Sequence, residues 1–318
     1  MTKILITGGC GFIGSNLVEF ILNKTDWEIN ILDNLSAGKI EDIQKIKQFS
    51  ERCNFIQGDI KSKNDVEKAM DNCDYVVNLA AQVGVILSTK DPLFDAEVNV
   101  IGTINILNVC IQKKVKKFIQ ASSAAPLGEQ EMPLNENKVP KPLSPYGASK
   151  LAGEAYCSAF SASYDLKTVA LRFSNVYGPK SYAKGSVIPL FIKQILNSKA
   201  IAIYGEGKQT RDFIHVKDIC NAIYLALTTE LNNKFELFQI ATSKETSINE
   251  LFSILKKELE KQGINVQEPK YAPVRAGEIL RNYSDISKAK KMLKYEPKVD
   301  LKQGIKETVT WFVKNQNQ

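Results

Sequence analysis

The chain has 318 residues, of which 44% are hydrophobic and 24% charged, and its formal net charge is +7. This composition is typical of a folded globular protein and excludes a fibrous or disordered chain. The lysine-rich segments carry no interleaved aromatic residues. We therefore interpret the positive charge as solvated surface with a mild attraction for anionic small molecules, and we expect no nucleic-acid partner.

Six scattered cysteines and a single histidine bear on metal and redox chemistry. They form no C-x-x-C motif and no Cys/His cluster, so we expect neither a metal site nor a disulfide framework. The chain starts directly in an apolar strand, lacks a signal-peptide pattern and has no apolar run that we judge long enough to span a bilayer. We therefore expect a cytoplasmic, soluble protein with no membrane partner.

The beginning of the chain predicts a strand, a tight turn and a helix. The apolar run Lys3–Thr7 leads into a turn with glycines at 8, 9, 11 and 14, and helical periodicity begins at Phe12. Such a turn lets backbone N–H groups approach a diphosphate at the positive end of the helix. Gly8 would make the turn, Gly11 would face the phosphates and Gly14 would let the helix lie close to the strand. The spacing is G-x-x-G-x-x-G rather than G-x-G-x-x-G, so the pattern alone also fits a plain strand-to-helix turn.

The second predicted strand favours the dinucleotide interpretation. Glu28–Leu32 ends in Asp33, and a carboxylate at this position can accept hydrogen bonds from both hydroxyls of an adenosine ribose. Asn34 is neutral, whereas an enzyme that uses NADP would be expected to place an arginine there for the 2′-phosphate. The sequence therefore predicts NAD as the cofactor.

Apolar strands alternate with helical segments along the first half of the chain. We predict further strands at Cys53–Gln57, Tyr75–Leu79, Phe118–Ala121 and Leu166–Phe173, and a long helix that opens at Asp91. Continuously apolar strands separated by helices are typical of a parallel sheet covered on both faces. The predicted fold class is therefore α/β, with a Rossmann-type doubly wound parallel sheet.

Beyond about Gly178 the predicted segments become shorter and the loops more charged. We predict a helix at Val187–Leu196, a strand at Ile201–Tyr204 and later helices at Ile248–Leu259 and Leu301–Val313. The chain is long enough for two unequal cores. We therefore assign residues 1–178 to an NAD-binding domain, with later segments returning to its sheet, and residues 179–318 to a smaller, mixed α/β substrate domain.

Two residues at the start of one predicted helix suggest acid–base chemistry. Tyr146 and Lys150 stand four residues apart, so their side chains share a helix face. A nearby ammonium and a cationic nicotinamide would both lower the pKa of the phenol and make it a base near neutral pH. Ser123, at the end of the fifth predicted strand, could hydrogen-bond the same substrate hydroxyl. A Tyr/Lys pair with this spacing also occurs as a surface pair.

Arginine and histidine residues in the second half were considered as ligands or catalysts. The guanidinium forks of Arg211, Arg275 and Arg281 suit the phosphates of a nucleoside diphosphate, although surface ion pairs are a simpler explanation. His215 lies between two apolar residues, and no G-x-S-x-G motif is present to partner it. We therefore expect a half-buried structural histidine rather than a member of a catalytic triad.

Taken together, these motifs resemble the extended short-chain dehydrogenase/reductases, in particular the NAD-dependent nucleotide-sugar epimerases, over almost the whole chain. The segments that carry the resemblance are Thr7–Gly14, Leu32–Leu35, Gly58–Ile60, Asn78–Ala81, Ser122–Ser123, Tyr146–Lys150, Arg172–Pro179, Arg211–Val216 and Arg275–Glu278. The last two look like the sugar-nucleotide half of UDP-glucose 4-epimerases.

The resemblance implies a role for each matching residue. The implied NAD-binding residues are Gly8, Gly11, Phe12, Ile13, Gly14, Asp33, Asn34, Ser36, Gly38, Asp59, Ile60, Leu79, Ala80, Ala81, Asn99, Tyr146 and Lys150. The implied catalytic residues are Ser123, Tyr146 and Lys150. The implied substrate-binding residues are Ser123, Tyr146, Asn175, Val187, Tyr204, Arg211, Arg275, Glu278 and Asn282. No metal is implied.

The implied activity is 4-epimerisation of a UDP-hexose through a transient 4-keto sugar. Asn282 is smaller than the tyrosine that excludes N-acetyl sugars in some epimerases, so we expect UDP-N-acetylglucosamine to be accepted alongside UDP-glucose. Ala124 and Ala125 stand where related dehydratases carry acidic residues, which disfavours dehydration. A UDP-glucuronate 4-epimerase, another nucleotide-sugar epimerase and a non-catalytic NAD sensor remain the alternatives. The family also implies a homodimer, here through the helices Asp91–Lys113 and Pro145–Tyr164.

Overall fold

The computed structural model describes residues 1–46, 48–274 and 279–316. The first part of the chain alternates strands with helices. The strands are β1 Lys3–Thr7, β2 Glu28–Asp33, β3 Cys53–Gln57, β4 Tyr75–Asn78, β5 Lys117–Ser123 and β6 Thr168–Phe173. The α-helices are α1 Phe12–Lys24, α2 Glu41–Gln44, α3 Phe49–Arg52, α4 Lys63–Ala69, α5 Val85–Lys90, α6 Pro92–Ala96, α7 Gly102–Gln112 and α8 Pro145–Tyr164. A π-helical turn, Glu97–Ile101, joins α6 to α7, and a 3₁₀ turn, Ala125–Leu127, follows β5.

The second part of the chain has shorter strands. These are β7 Asn175–Tyr177, β8 Ala202–Tyr204, β9 Thr210–Arg211, β10 Phe213–His215, β11 Phe235–Ile240, β12 Thr246–Ser247 and β13 Lys270–Ala272. The helices are α9 Val187–Leu196, α10 Val216–Thr228, α11 Ile248–Glu260, α12 Ser287–Leu293 and α13 Leu301–Lys314.

Seven parallel strands form the main sheet in the order β11-β6-β5-β4-β1-β2-β3. β1 pairs with β2 on one side and with β4 on the other, so Ile4 lies between Ile29 and Tyr75. The strand order therefore reverses at β1, and in open α/β sheets ligands bind beside such a point, at the carboxyl ends of the strands. The predicted Rossmann-type parallel sheet is confirmed.

Successive residues of a strand point to opposite faces of the sheet, and this alternation builds its two helical layers. Ile4 and Ile6 pack with apolar residues of α1 and α10 on one face, whereas Leu5 packs with residues of α4, α7 and α8 on the other. All three side chains are fully buried. Burying one such side chain stabilises the fold by about 1.5–3 kcal/mol, so β1 anchors both layers beneath the site.

The C-terminal segments share the main sheet and also form a core of their own. β11 pairs in parallel with β6, from Phe235 opposite Thr168 to Ile240 opposite Phe173. Residues of α9, α11 and α13 contribute to a separate apolar cluster. Three two-stranded sheets, β10-β7, β12-β9 and β13-β8, flank this cluster. A later segment, β11, thus forms one edge of the main sheet.

The long helix predicted from Asp91 is interrupted. Asp91 caps α6 by accepting from the N–H of Phe94 at 3.0 Å, but the residues from Glu97 to Ile101 form the π-helical turn. The sequence analysis found no apolar run long enough to span a bilayer, but the helical segment Pro92–Gln112 has the length and composition to do so. Among the described residues it is the one helix that meets this criterion. In the described fold this helix packs against α8.

Candidate active site

The turn between β1 and α1 has no room for side chains. Gly8 has φ +68°, and a Cβ atom on it would lie 2.7 Å from the backbone nitrogen of Ala80. A Cβ atom on Gly14 would lie 2.1 Å from the carbonyl oxygen of Gly8. α1 begins after Gly11 without a side-chain cap, so the first N–H groups of the helix can meet an anion. The residues present therefore fit a dinucleotide diphosphate.

This geometry predicts that Gly14→Ala weakens NAD binding by at least about tenfold, or ~1.4 kcal/mol, because the methyl group would push the turn away from the helix end. NAD titration by calorimetry, together with a thermal unfolding curve, would measure this effect. Gly153→Ala in α8 is a matched control, since its Cβ atom would meet Gln120 at an ordinary 3.5 Å. Unchanged NAD affinity in Gly14→Ala would contradict the assignment of this turn to the cofactor.

Asp33 connects the glycine turn to the loop after β2. Its Oδ2 accepts from the N–H of Cys10 at 2.9 Å, and its Oδ1 accepts from the N–H of Leu35 at 2.8 Å. Each oxygen can accept a further hydrogen bond, so the carboxylate can also meet the two hydroxyls of a ribose. The loop itself packs closely, since a Cβ atom on Gly38 would lie 2.3 Å from the carbonyl oxygen of Cys10.

The other predicted cofactor residues follow β2, β3 and β4 at the same edge of the sheet. Asn34 donates to Asp59 at 3.1 Å and accepts from the N–H of Ser36 at 3.0 Å. Ile60 is buried, and the N–H of Ala80 donates to the Thr7 hydroxyl at 3.3 Å. The structure thus brings the segments predicted to hold NAD to the carboxyl edge of four neighbouring strands.

Ser123, Tyr146 and Lys150 come together at the same edge. α8 begins at Pro145, and Ser144 caps it by accepting from the N–H of Gly147 at 3.1 Å. The Ser123 hydroxyl lies close enough to the Tyr146 side chain to favour the phenolate. The buried Nζ of Lys150 donates to a carbonyl oxygen at the end of β5 at 3.2 Å and lies 5.8 Å from the centroid of the Tyr146 ring. A phenol, a hydroxyl and an ammonium can therefore act on one ligand group.

Burial dominates the ionisation of these groups. It raises the pKa of Tyr146 to about 12, although the hydrogen bond from Ser123 favours the phenolate. Burial also lowers the pKa of Lys150 to about 8, against the opposing effect of Asp95 and Glu154. The predicted lowering of the phenol pKa is therefore not produced by the side chains of this chain, because desolvation and the charge of Asp95 both raise the pKa and outweigh the effect of the Ser123 hydroxyl.

A polar cluster around Asn99 was missed by the sequence analysis. The Asn99 amide donates to Gln82 O and Asp95 Oδ1, both at 3.0 Å, and to Ser149 Oγ at 3.1 Å, while its oxygen accepts from the N–H of Gln82. Asp95 is almost completely buried, and its Oδ2 has no hydrogen-bond partner in the described chain. The cluster ties the segment after β4 to the first turn of α8. The spacing of Asp95 and Asn99, four residues apart on a predicted helix, is the signal that could have revealed it.

A buried ion pair begins one helical turn after Lys150 on α8. Arg172 donates to Glu154 through Nε at 2.8 Å and Nη2 at 2.7 Å. Ser122 donates to the same carboxylate at 2.5 Å. The two charged side chains are 2% and 5% exposed, so water does not screen the pair. This arrangement fixes α8 against β5 and β6.

Apart from Ser123 and Tyr146, the predicted substrate residues follow β6 in the chain. The N–H of Asn175 donates to Asp212 O at 3.0 Å, which joins β7 to the segment of Arg211. Arg211 donates through Nη1 to the carbonyl oxygens of Thr210 and Ile279, each at 2.8 Å. Val187 begins α9 and Tyr204 ends β8. The predicted contacts Arg275 and Glu278 lie outside the described residues.

The neighbouring side chains of Arg281 and Asn282 differ in burial: one forms a surface ion pair, and the other has a buried oxygen. The Oδ1 of Asn282 is buried without a hydrogen-bond partner in the described part of the chain. Arg281 forms a two-point ion pair with Glu245, with N–O distances of 3.0 and 2.6 Å, which agrees with the surface alternative considered above.

His215 is fully buried rather than half-buried. Its Nδ1 caps α10 by accepting from the N–H of Lys217 at 3.3 Å, and its Nε2 has no hydrogen-bond partner among the described residues. Burial lowers the pKa of the imidazole to about 4. The predicted structural role is compatible with this capping contact, but the sequence could not show that the C-terminal segments enclose the ring completely.

Comparisons with known proteins match almost the whole chain. The family model described as GDP-mannose 4,6 dehydratase matches residues 5–308. A putative UDP-glucose 4-epimerase of Methanocaldococcus jannaschii is 41% identical over 319 residues, which cover 99% of each chain.

Solved structures match the fold as a whole. The UDP-glucose 4-epimerase of Thermotoga maritima, solved with UDP-glucose, is 35% identical with a TM-score of 0.90, covering 99% of this chain and all of the other. The UDP-N-acetylglucosamine 4-epimerase of Methanobrevibacter ruminantium, solved with UDP-N-acetylmuramic acid, is 37% identical with a TM-score of 0.90 and 99% coverage of both chains. The UDP-glucose 4-epimerase of Thermus thermophilus, solved with NAD, is 32% identical with a TM-score of 0.87, covering 98% of this chain and 99% of the other.

Proposed function

Because the chain belongs to the extended short-chain dehydrogenase/reductase family of NAD-dependent nucleotide-sugar epimerases and dehydratases, we propose that it is a UDP-hexose 4-epimerase. It interconverts UDP-glucose and UDP-galactose through a transient 4-keto sugar. The observation that supports this most strongly is the meeting of Ser123, Tyr146 and Lys150 at the strand edge that carries the glycine turn, with the Lys150 ammonium 5.8 Å from the centroid of the phenol ring.

In this proposal Ser123, Tyr146 and Lys150 together transfer the proton of the sugar 4-hydroxyl. Tyr146, as the phenolate, takes the proton of the sugar 4-hydroxyl on its phenolic oxygen and later returns that proton to the same oxygen of the sugar. Ser123 hydrogen-bonds that oxygen, and the charge of Lys150 stabilises the phenolate. Bound NAD, held by the glycine turn and Asp33, supplies the hydride acceptor and donor for C4. Binding energy at the nucleotide end leaves the sugar able to turn, so that C4 presents either face.

N-acetyl sugars are included in the proposed substrate range. The buried Oδ1 of Asn282 has no partner in the described chain, and a buried acceptor without a partner is costly. An acetamido N–H could satisfy it. The backbone next to Asn282 contacts the segment that follows the catalytic serine, since Leu134 donates to Tyr283 O at 2.9 Å.

The activity is tested by mixing the purified protein with UDP-glucose, UDP-N-acetylglucosamine and UDP-glucuronate in turn and resolving the C4 epimers by chromatography. We expect conversion of the first two. Conversion of UDP-glucuronate alone would select the uronate epimerase instead. Retention of NAD with no conversion of any sugar would select the sensor, which has no need of Ser123, Tyr146 and Lys150.

We also propose a homodimer through the outer faces of α5, α6 and α8. Ile86 is 68% exposed, Leu93 70% and Tyr164 57%, and an apolar face of this kind is typical of an interface. The double variant Ile86→Glu, Leu93→Glu should be a monomer, because two carboxylates would be buried in the interface. Light scattering would measure the mass, and Tyr271→Glu on β13, which removes an exposed aromatic residue elsewhere, is the control. A wild-type protein of monomeric mass would contradict the proposal.

A further inference from the structure

Lys184 contacts residues of both predicted ligand sites and has no role in the function proposed above. It belongs to the segment between β7 and α9. Its Nζ donates to Val176 O at 2.6 Å and lies 5.5 Å from the centroid of the Phe12 ring. Val176 follows Asn175, and Phe12 is the first residue of α1. The ammonium therefore lies between the glycine turn and the strand predicted to hold the substrate diphosphate.

The charge of Lys184 has no protein partner in the described part of the chain. Burial lowers the pKa of this lysine to about 8, and no neighbouring carboxylate opposes the effect. Lys180, four residues earlier, differs because it forms an ion pair with Glu19 at 2.9 Å. A buried charge is costly unless it is paired. One carbonyl oxygen also leaves two of the three ammonium donors for other acceptors.

We propose that Lys184 binds an oxyanion of the nucleotide sugar. This inference rests on the proposed function and adds to it a cation that none of the sequence motifs identified. The diphosphate is one oxyanion that Lys184 could bind. The neighbouring Asn175 is neutral and supplies no charge, and two hydrogen bonds of Arg211 already go to carbonyl oxygens, so a further cation would help to neutralise a diphosphate. A carboxylate at C6 of a uronate sugar is the other source of the same chemistry.

Calorimetry on the NAD-loaded protein tests the inference with four probes, which are UDP, UDP-glucose, UDP-glucuronate and uridine. We expect Lys184→Met to weaken UDP and UDP-glucose about ten- to hundredfold, since a charged hydrogen bond is lost. Binding of uridine and of NAD should be unchanged, and Lys184→Arg should restore most of the affinity. Lys180→Met, in the same segment, is the control for a change of loop structure and should bind all four probes like the wild type.

The probes distinguish the two sources of the oxyanion. A loss shared by UDP and UDP-glucose assigns Lys184 to the diphosphate, whereas a loss confined to UDP-glucuronate assigns it to the carboxylate. Equal binding of all UDP ligands by Lys184→Met and the wild type overturns this inference alone. A wild-type protein that binds none of the UDP ligands overturns the proposed function as well.

Discussion

Tyr146→Phe should lower kcat for UDP-glucose by about 10²–10⁴-fold while leaving NAD bound, because it removes the general base and leaves the ring in place. The ring packs at the start of α8, within 5.8 Å of the Lys150 ammonium, and phenylalanine keeps this packing. The measurement is initial-rate kinetics on UDP-glucose together with NAD fluorescence or calorimetry.

The control for this variant is available on the same helix. Tyr156 lies in α8 and is 38% exposed, so Tyr156→Phe should have wild-type kinetics. Loss of NAD in Tyr146→Phe would mean that the phenol mainly supports the cofactor. Unchanged turnover would show that another group takes the proton, and the mechanism proposed above would then be wrong.

Glu154→Gln should destabilise the protein by about 3–5 kcal/mol, which is typical of breaking a buried ion pair on one side. The variant leaves the Arg172 guanidinium in a dry environment without its negative partner, and one of its nitrogens, Nη1, already has no hydrogen bond in the described chain. Urea unfolding of the wild type and the variant measures the difference, with the slope of the transition compared as well as its midpoint.

A surface pair provides the matched comparison for Glu154→Gln. Lys113 and Asp71 are 3.2 Å apart, with side chains 36% and 64% exposed. Water and ions screen such a pair, so Asp71→Asn should change the free energy of unfolding by about 1 kcal/mol at most. Similar losses in the two variants would contradict the view that burial makes the Glu154 pair important.

Local patterns were sufficient to predict the part of the site that lies at strand ends. β2 ends at Asp33, as the sequence predicted, because a run of apolar residues and its first polar residue are adjacent in the chain. The glycine turn is likewise a local feature, since Gly8 and Gly14 are six residues apart and meet where the turn enters α1. Periodicity and turn chemistry act over a few residues, and they are therefore sufficient to predict these two elements.

Contacts between distant segments could not be read in the same way. The pairing of Asn175 with Phe213 in β7 and β10 joins residues from separate segments, and each strand is only three residues long. Such strands have too few residues for a period-two pattern. The π-helical turn around Asn99 was also missed, because its residues keep the composition of an ordinary apolar helix.

The ionisation of Tyr146 shows a further limit. The sequence indicates which charged groups would surround the phenol, but the pKa of the phenol also depends on how much water the fold removes. That quantity depends on the packing of several segments that are distant in the chain. Burial therefore raises the pKa of Tyr146, whereas the sequence analysis expected it to be lowered.

The edge strand β11 is made much later than its neighbour β6, which has a consequence for synthesis on the ribosome. β6 is complete at Phe173, but the strand that covers its outer edge, β11, is not finished until Ile240. A nascent or truncated chain that stops between these points exposes the unpaired backbone of β6 next to a row of apolar side chains, which is a template for pairing with other chains. Residues 1–178 should therefore aggregate when they are expressed alone, and the sheet becomes complete only after about three quarters of the chain has been made.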